Sequence, residues 1–328
     1  MHGAQSSIRI AGTLLSAAAL LGGVQTAAAA GPADTADVID VATAGELEAA
    51  LAAAGPGDEV RMADGTYRGN FDITASGGAA APASLTGSAD AVLVAGGGYG
   101  LHLDGASHWN LNGFTVTGGQ KGIVLDDADH VHIASVTVHD LDMEAVHFRN
   151  SSSDGSITDS RIHDTGHDGR GMGEGVYVGS AGGTGDRSDR ILIRGNTIGP
   201  GVGGENIDIK EGTTGARIIG NTFDGSGLTG ANYDDSWVDI KGNDVLVEDN
   251  TGRGTTNDGY QTHEVQDGWG CNATFRGNRS DLGGATGPDR YAIHVTNHDA
   301  QSCPVTVSGS NTVTGGRGLV NPGIPVTG

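Results

Sequence analysis

Short apolar-x-apolar triplets punctuate the chain from about residue 100 onward. They are Leu101-His102-Leu103, Ile123-Val124-Leu125, Val146-His147-Phe148, Val176-Tyr177-Val178, Ile207-Asp208-Ile209, Val238-Asp239-Ile240, Tyr260-Gln261-Thr262 and Ile293-His294-Val295. Their centres lie 22 to 33 residues apart. No 3.6-residue periodicity accompanies them, which argues against helical repeats of similar length. A period near 22 residues, lengthened by loops, is what a solenoid coil gives. One coil cannot bury its apolar side chains alone, but stacked coils can. The pattern predicts an all-β right-handed parallel β-helix spanning residues 31–328 as one domain. A barrel or sandwich would not hold one register across eight units.

A second strand trails the triplets and ends on Asn in five successive coils: Asn196, Asn221, Asn250, Asn278 and Asn311. Asn tolerates turn backbone and can hydrogen-bond its stacked copy, so these five predict an internal Asn ladder at a bend. Before the coils, Thr43–Ala54 places Leu47 and Leu51 four apart on one helical face, and Gly55-Pro56-Gly57-Asp58 stops the helix. This short helix is expected to cap the N-terminal end. Val60–Tyr67 is expected to be extended, with a turn inside it.

Composition narrows the class. Lys plus Arg is 18 against 40 Asp plus Glu, a net charge of −22. Binding to a polyanion by counterion release needs clustered basic residues, so nucleic acid and anionic membranes are not expected partners. Met1–Ala30 has a basic Arg9, an apolar Ile10–Val24 and a small-residue Ala28-Ala29-Ala30, the pattern of a secretory signal. An extracellular, monomeric protein is expected, with Cys271 and Cys303 as one disulfide.

The register then sorts the polar residues. In each triplet the flanking residues point inward and x points outward. The outward column contains His102, His147, Tyr177, Asp208, Asp239, Gln261 and His294, and a column two residues on contains Arg149, Lys210, Lys241 and His263. A third, three residues before x, brings Lys121, Glu144, Glu174, Glu205, Asp235 or Ser236, and Asp258. The middle coils thus gather acids and scarce cations on one strip. They also carry long insertions, Asp164–Gly173 and Asp224–Asp235, and loops beside reactive groups are where function concentrates. Glu174, Glu205, Asp235 and Asp258 are hard oxygen donors on neighbouring coils, suited to calcium.

The segment Ala44–Tyr67, with Gly55-Pro56-Gly57-Asp58 and Ala63-Asp64-Gly65-Thr66-Tyr67, resembles the N-terminal entry of secreted β-helix polysaccharide lyases such as chondroitinase B and alginate lyases. Glu205–Glu211, Asp234–Lys241 and Asp258–Cys271 resemble actinobacterial secreted β-helix repeat proteins, and the architecture is similar to that of calcium-dependent pectate lyases. The resemblance implies β-elimination of an acidic, uronic-acid polysaccharide. That reaction needs a base for the proton α to a carboxylate and a cation for the charge that develops. On this basis Lys210 is the first candidate base and Lys241 the second, each lowering the other's pKa by proximity. His147 and His263 are candidate proton shuttles, while Arg149, Tyr177, Asp208 and Asp239 would contact substrate. Two other readings stay open: a glycoside hydrolase using Asp208, Asp239 and Glu205, and a non-catalytic glycan-binding solenoid. The Asn-Thr-Asp and Gly-His-Gly motifs of polygalacturonase-type hydrolases and the Asp-Pro-His motif of mannuronan epimerases are absent.

Overall fold

The computed structural model describes residues Ala36–Gly328; the expected signal segment, Met1–Ala30, lies outside them. The chain winds as a parallel β-solenoid of about 10 turns. Each turn contributes to three sheets, one more than the two strands per coil that the sequence pattern predicts. A 12-stranded sheet runs from Val38–Val41 to Val326–Thr327, a 10-stranded sheet from Gly65–Arg68 to Thr312–Gly315, and a second 10-stranded sheet from Phe71–Ile73 to Gly318–Val320. All eight triplets belong to this last sheet. Their centres pair directly, coil after coil, from His102 with Val124 through Tyr177 with Asp208 and Asp208 with Asp239 to Gln261 with His294. The missed strands are short and lie outside the triplets: coils begin at Val38, well before the first recognised repeat.

Packing explains the register. The first apolar residues of the triplets, Leu101, Ile123, Val146, Val176, Ile207, Val238, Tyr260 and Ile293, are all buried and stack along the interior. A one-residue slip would turn every one of them outward. Entry into each triplet is tight. A Cβ added at Gly175 would lie 2.6 Å from Asn206 O and 2.6 Å from Ile198 Cγ2, which is why small residues recur two positions before x. Asn206 departs from that rule, and so does the larger Trp237, which is fully buried. Gly252 and Gly259 make room for it, because a Cβ on either would strike its ring.

The Asn ladder forms as expected. Asn196 Nδ2 donates to Asn221 Oδ1 at 3.0 Å, Asn221 to Asn250 at 2.9 Å, Asn250 to Asn278 at 3.0 Å and Asn278 to Asn311 at 2.9 Å. The left-handed backbone, however, falls one residue earlier, at Gly195, Gly220, Asp249 and Gly277. The helix spans Ala44–Ala53, with Thr43 Oγ1 accepting from Glu46 N, and buries Leu47, Ala50 and Leu51 against the first turn. The extended segment after it splits into Glu59–Met62 and Gly65–Arg68 around a turn. Cys271 and Cys303 are disulfide-bonded.

Candidate functional site

The triplet sheet carries a cleft of about 550 Å3 over the coils of Ile207–Ile209, Ser236–Ile240 and Asp258–Thr262. Parallel pairing sets Asp208, Asp239 and Gln261 side by side on its floor. Lys210 and Lys241 follow immediately, at equivalent places in successive turns. Lys210 Nζ lies 2.7 Å from Asp208 Oδ2, and Lys241 Nζ lies 2.9 Å from Asp208 Oδ1. Lys241 also meets Asp239, whose other oxygen takes His263 Nδ1 at 2.8 Å. The result is one alternating chain: Lys210, Asp208, Lys241, Asp239, His263.

This strip is less open than alternation alone suggests. Asp208 is 2% and Asp239 6% exposed, because neighbouring turns and loops cover the column. Burial therefore acts on every charge. For Lys241 it pulls the pKa down, but Asp208, Asp239 and Glu205 outweigh it and hold the ammonium well above its ordinary value. The expectation that Lys210 would lower it by proximity is overturned by these three carboxylates. Burial pushes Asp239 up, but Lys241 and His263 pull it well below the usual carboxylate range. Burial also lowers His263, and Asp239 more than compensates, so its pKa is raised.

Upstream, Tyr177 stands one turn before Asp208, outside the cleft lining and 8% exposed, with its ring centroid 5.1 Å from Lys210 Nζ. Burial, then Asp208 and Glu174, raises its phenol pKa, so it stays protonated. His147 lies beneath Tyr177, with ring centroids 4.5 Å apart, and is only 5% exposed. Its Nε2 donates to Gly179 O at 2.9 Å and its Nδ1 faces Lys121 Nζ at 3.3 Å. Burial and Lys121 push its pKa down to about 3. A neutral ring with both nitrogens engaged does not reach the cleft as a shuttle. Arg149 is also committed: its guanidinium grips Asp126 at 2.6 and 2.7 Å and reaches Tyr99 Oη at 3.2 Å. It belongs to a separate cluster of Asp126, His102 and Tyr99, outside the cleft lining.

The four acidic residues expected at a metal do not converge. Glu174 and Glu205 join Asp208, with one oxygen of each within 4.8 Å of the others, whereas Asp258 groups with Asp289 and His294. Asp258 is already saturated, accepting from Tyr291 N, His294 Nδ1, Gln261 Nε2 and Asn257 Nδ2. Asp235 accepts from Asn257 and Gln261 beside it. It also sits one residue before the third column, which Ser236 occupies. Glu174 and Glu205 do fit a hard cation: Glu174 Oε2 is buried without a partner. Burial, then Asp208 and Glu144, pushes Glu174 up to about 8; burial, Asp208 and Asp239 lift Glu205 well above the carboxylate range.

Two pairs of loops flank the cleft. The expected insertions meet each other, Asn232 Nδ2 donating to Gly171 O at 3.3 Å. On the far side, the Arg187 guanidinium lies 5.7 Å from the Trp269 ring. Sequence reasoning missed several lining residues, namely Asn232, Tyr233, Asn257, Glu264, Val265 and Asp289. All sit between the strands, where no repeat fixes register, although Asn232 and Tyr233, in the short 3-10 turn Ala231–Tyr233, fall inside an expected insertion.

Residues 99–184 match the family model described as a right-handed β-helix region. A solved alginate lyase from Paenibacillus sp. str. FPU-7 is 39% identical, with a TM-score of 0.77, covering 89% of this chain and 97% of that one. A pectate lyase, Pel9A, is 16% identical with a TM-score of 0.59, covering 88% of this chain and 79% of the other. A rhamnogalacturonan lyase is 14% identical with a TM-score of 0.52, covering 83% and 79%. These last two share the fold. Among curated proteins, no sequence match is found.

Proposed function

The chain belongs to the right-handed β-helix polysaccharide lyases, and from that premise we propose that it is an extracellular alginate lyase acting by β-elimination at the Lys210–Lys241 cleft. The observation carrying this reading is the pair of lysines on adjacent turns sharing Asp208 at the cleft floor. A 1,4-linked uronate is cleaved when a base takes the proton on C5, α to the carboxylate. The C5–H electrons form the C4=C5 double bond as the C4–O bond breaks. The departing oxygen gains a proton, and no water is consumed.

The two lysines divide the work. Lys241 is held between two carboxylates and stays an ammonium, so it is a fixed positive charge for the uronate carboxylate. Lys210 contacts one carboxylate, which Lys241 already shares, and so is the base. The departing oxygen needs a proton donor within reach of the same sugar unit. Tyr177, protonated and beside Lys210, meets that need. His263 sits two turns beyond Lys210, about 10 Å along the sheet, and acts in this reading by holding Asp239.

Calcium is a second element, supported by the bare Glu174 Oε2. Glu174 and Glu205 would hold it, and it would supply charge neutralisation at the substrate carboxylate. Binding would release their protons and so tighten as pH rises.

The test is absorbance near the ultraviolet edge, where the new C=C bond absorbs, with alginate, pectate and chondroitin-type polymers. Alginate should give rising absorbance, Lys210→Ala should lose at least ~100-fold in rate, and chelator followed by calcium reports the metal. Reducing ends without absorbance would instead indicate a hydrolase. Polymer binding without turnover would indicate a glycan-binding solenoid.

A further inference from the structure

Tyr233 is 90% exposed, more than any other large apolar residue among the described residues, yet it lines the cleft. Val265, 52% exposed, lines it too. The backbone under Tyr233 is strained. Asn232 has φ 52° and Tyr233 has φ 68°, two consecutive side-chain-bearing residues in the left-handed region. Such strain persists only where the surroundings over-determine it, and it gathers at ligand clamps.

The surroundings here do over-determine it. Asp234 is fully buried and accepts from Thr229 N at 3.1 Å and Thr229 Oγ1 at 3.1 Å. Thr229 Oγ1 in turn accepts from Ala231 N at 3.1 Å. Asn232 ties the turn to the neighbouring loop at Gly171 O. At the same loop, any Cβ on Gly171 would strike Ala231 O. Hydrogen bonds anchored on the buried Asp234 thus fix a turn whose product, for the protein alone, is an unpacked aromatic ring.

The cleft floor beneath is charged: Asp208, Asp239, Lys210 and Lys241. A uronate pyranose has a matching division. Its carboxylate and hydroxyls are polar, while its ring C–H groups make an apolar face. We propose that Tyr233, with Val265, is a substrate-binding clamp at the cleft mouth. It takes the C–H face of a pyranose unit whose polar groups turn to the floor. The proposal rests on the lyase reading for its substrate, and it makes Tyr233 a determinant of affinity and of which uronate unit is accepted, not of the chemical step.

The experiment compares Tyr233→Ala, Tyr233→Phe and Tyr233→Gly on alginate. Ala and Gly should raise KM about tenfold or more, with kcat within about twofold; Phe should keep wild-type KM, since the ring face carries the contact. Gly removes the left-handed strain, so Tm should hold or rise while KM worsens, a pairing that a structural role cannot produce. Titration of alginate into the Lys210→Ala protein, with and without Tyr233→Ala, should show the same weakening without turnover. Unchanged KM and unchanged binding in the Ala variant would overturn the clamp while leaving the lyase reading intact. Absence of wild-type absorbance change would overturn the lyase reading while the titration still judged the clamp.

Discussion

Replacing Lys241 by Met tests the electrostatic design of the cleft floor. The ammonium bridges Asp208 and Asp239, whose side chains are 3% and 8% exposed, and is itself 12% exposed. Removing one partner from a buried ion pair costs ~3–5 kcal/mol, because the remaining charge stays desolvated. Each carboxylate here keeps a second partner: Lys210 at 2.7 Å for Asp208 and His263 at 2.8 Å for Asp239. That places the loss at the lower end, about 3 kcal/mol. Urea unfolding at pH 7 should show it as a lower midpoint at unchanged slope. The sign with pH follows from Asp239. Its folded pKa is depressed, so the stability it brings is present above the ordinary carboxylate value and lost as pH falls through the folded one. The gap between wild type and Lys241→Met should therefore be full at pH 7. It should shrink as pH falls through about 4, where an unfolded Asp takes up its proton. Equal midpoints at pH 7, or a gap that does not change with pH, would refute the reasoning.

Three further outcomes are expected. Asn221→Ala removes donations to Ile193 O and Asn250 Oδ1, and strands the Asn196 N–H and Nδ2 donors that Asn221 accepted. Its unfolding free energy should fall by about 2–4 kcal/mol, measured by urea titration, and a loss below about 1 kcal/mol would mean the ladder is not structural. Cys271→Ser with Cys303→Ser opens a loop with a separation of 32 residues, and chain-entropy arithmetic puts the loss at about 4 kcal/mol. Unfolding curves that coincide with and without reductant would contradict it. Arg149→Lys breaks a two-pronged grip on Asp126. It should lower thermal stability without raising KM, because Arg149 lies outside the cleft; a KM rise at unchanged stability would return it to the substrate.

The sequence carried the repeating part of this molecule and little of the rest, for a physical reason. The triplets alternate because a one-residue slip exposes Ile207, Val238 and their counterparts, so register is written in a few neighbouring positions. The Asn ladder and the placement of Lys210 and Lys241 on successive turns were legible for the same reason. Solvent exposure was not. Alternation says that His147 points outward but not that Tyr177 and Gly179 enclose it. It says that Arg149 is a cation but not that Asp126 has claimed it. The four expected metal ligands share columns, yet side-chain direction separates them into different groups. The loops were legible only as insertions; that Asn232 would reach Gly171 depends on two excursions from different turns meeting in space.

The separation of a fixed floor from variable walls has an evolutionary consequence. A turn of this solenoid is accepted by its neighbours if it supplies the right inward residues and, in the later turns, one Asn for the bend. The loop leaving that turn is otherwise unconstrained in length. Walls can therefore be exchanged as cassettes without disturbing the charged chain beneath them. Thr229–Asp234 carries its own internal hydrogen bonds, so with its partner at Gly171 it forms a wall small enough to transplant as a pair. One scaffold could in this way diversify toward different polymers while keeping a single set of reactive groups in place.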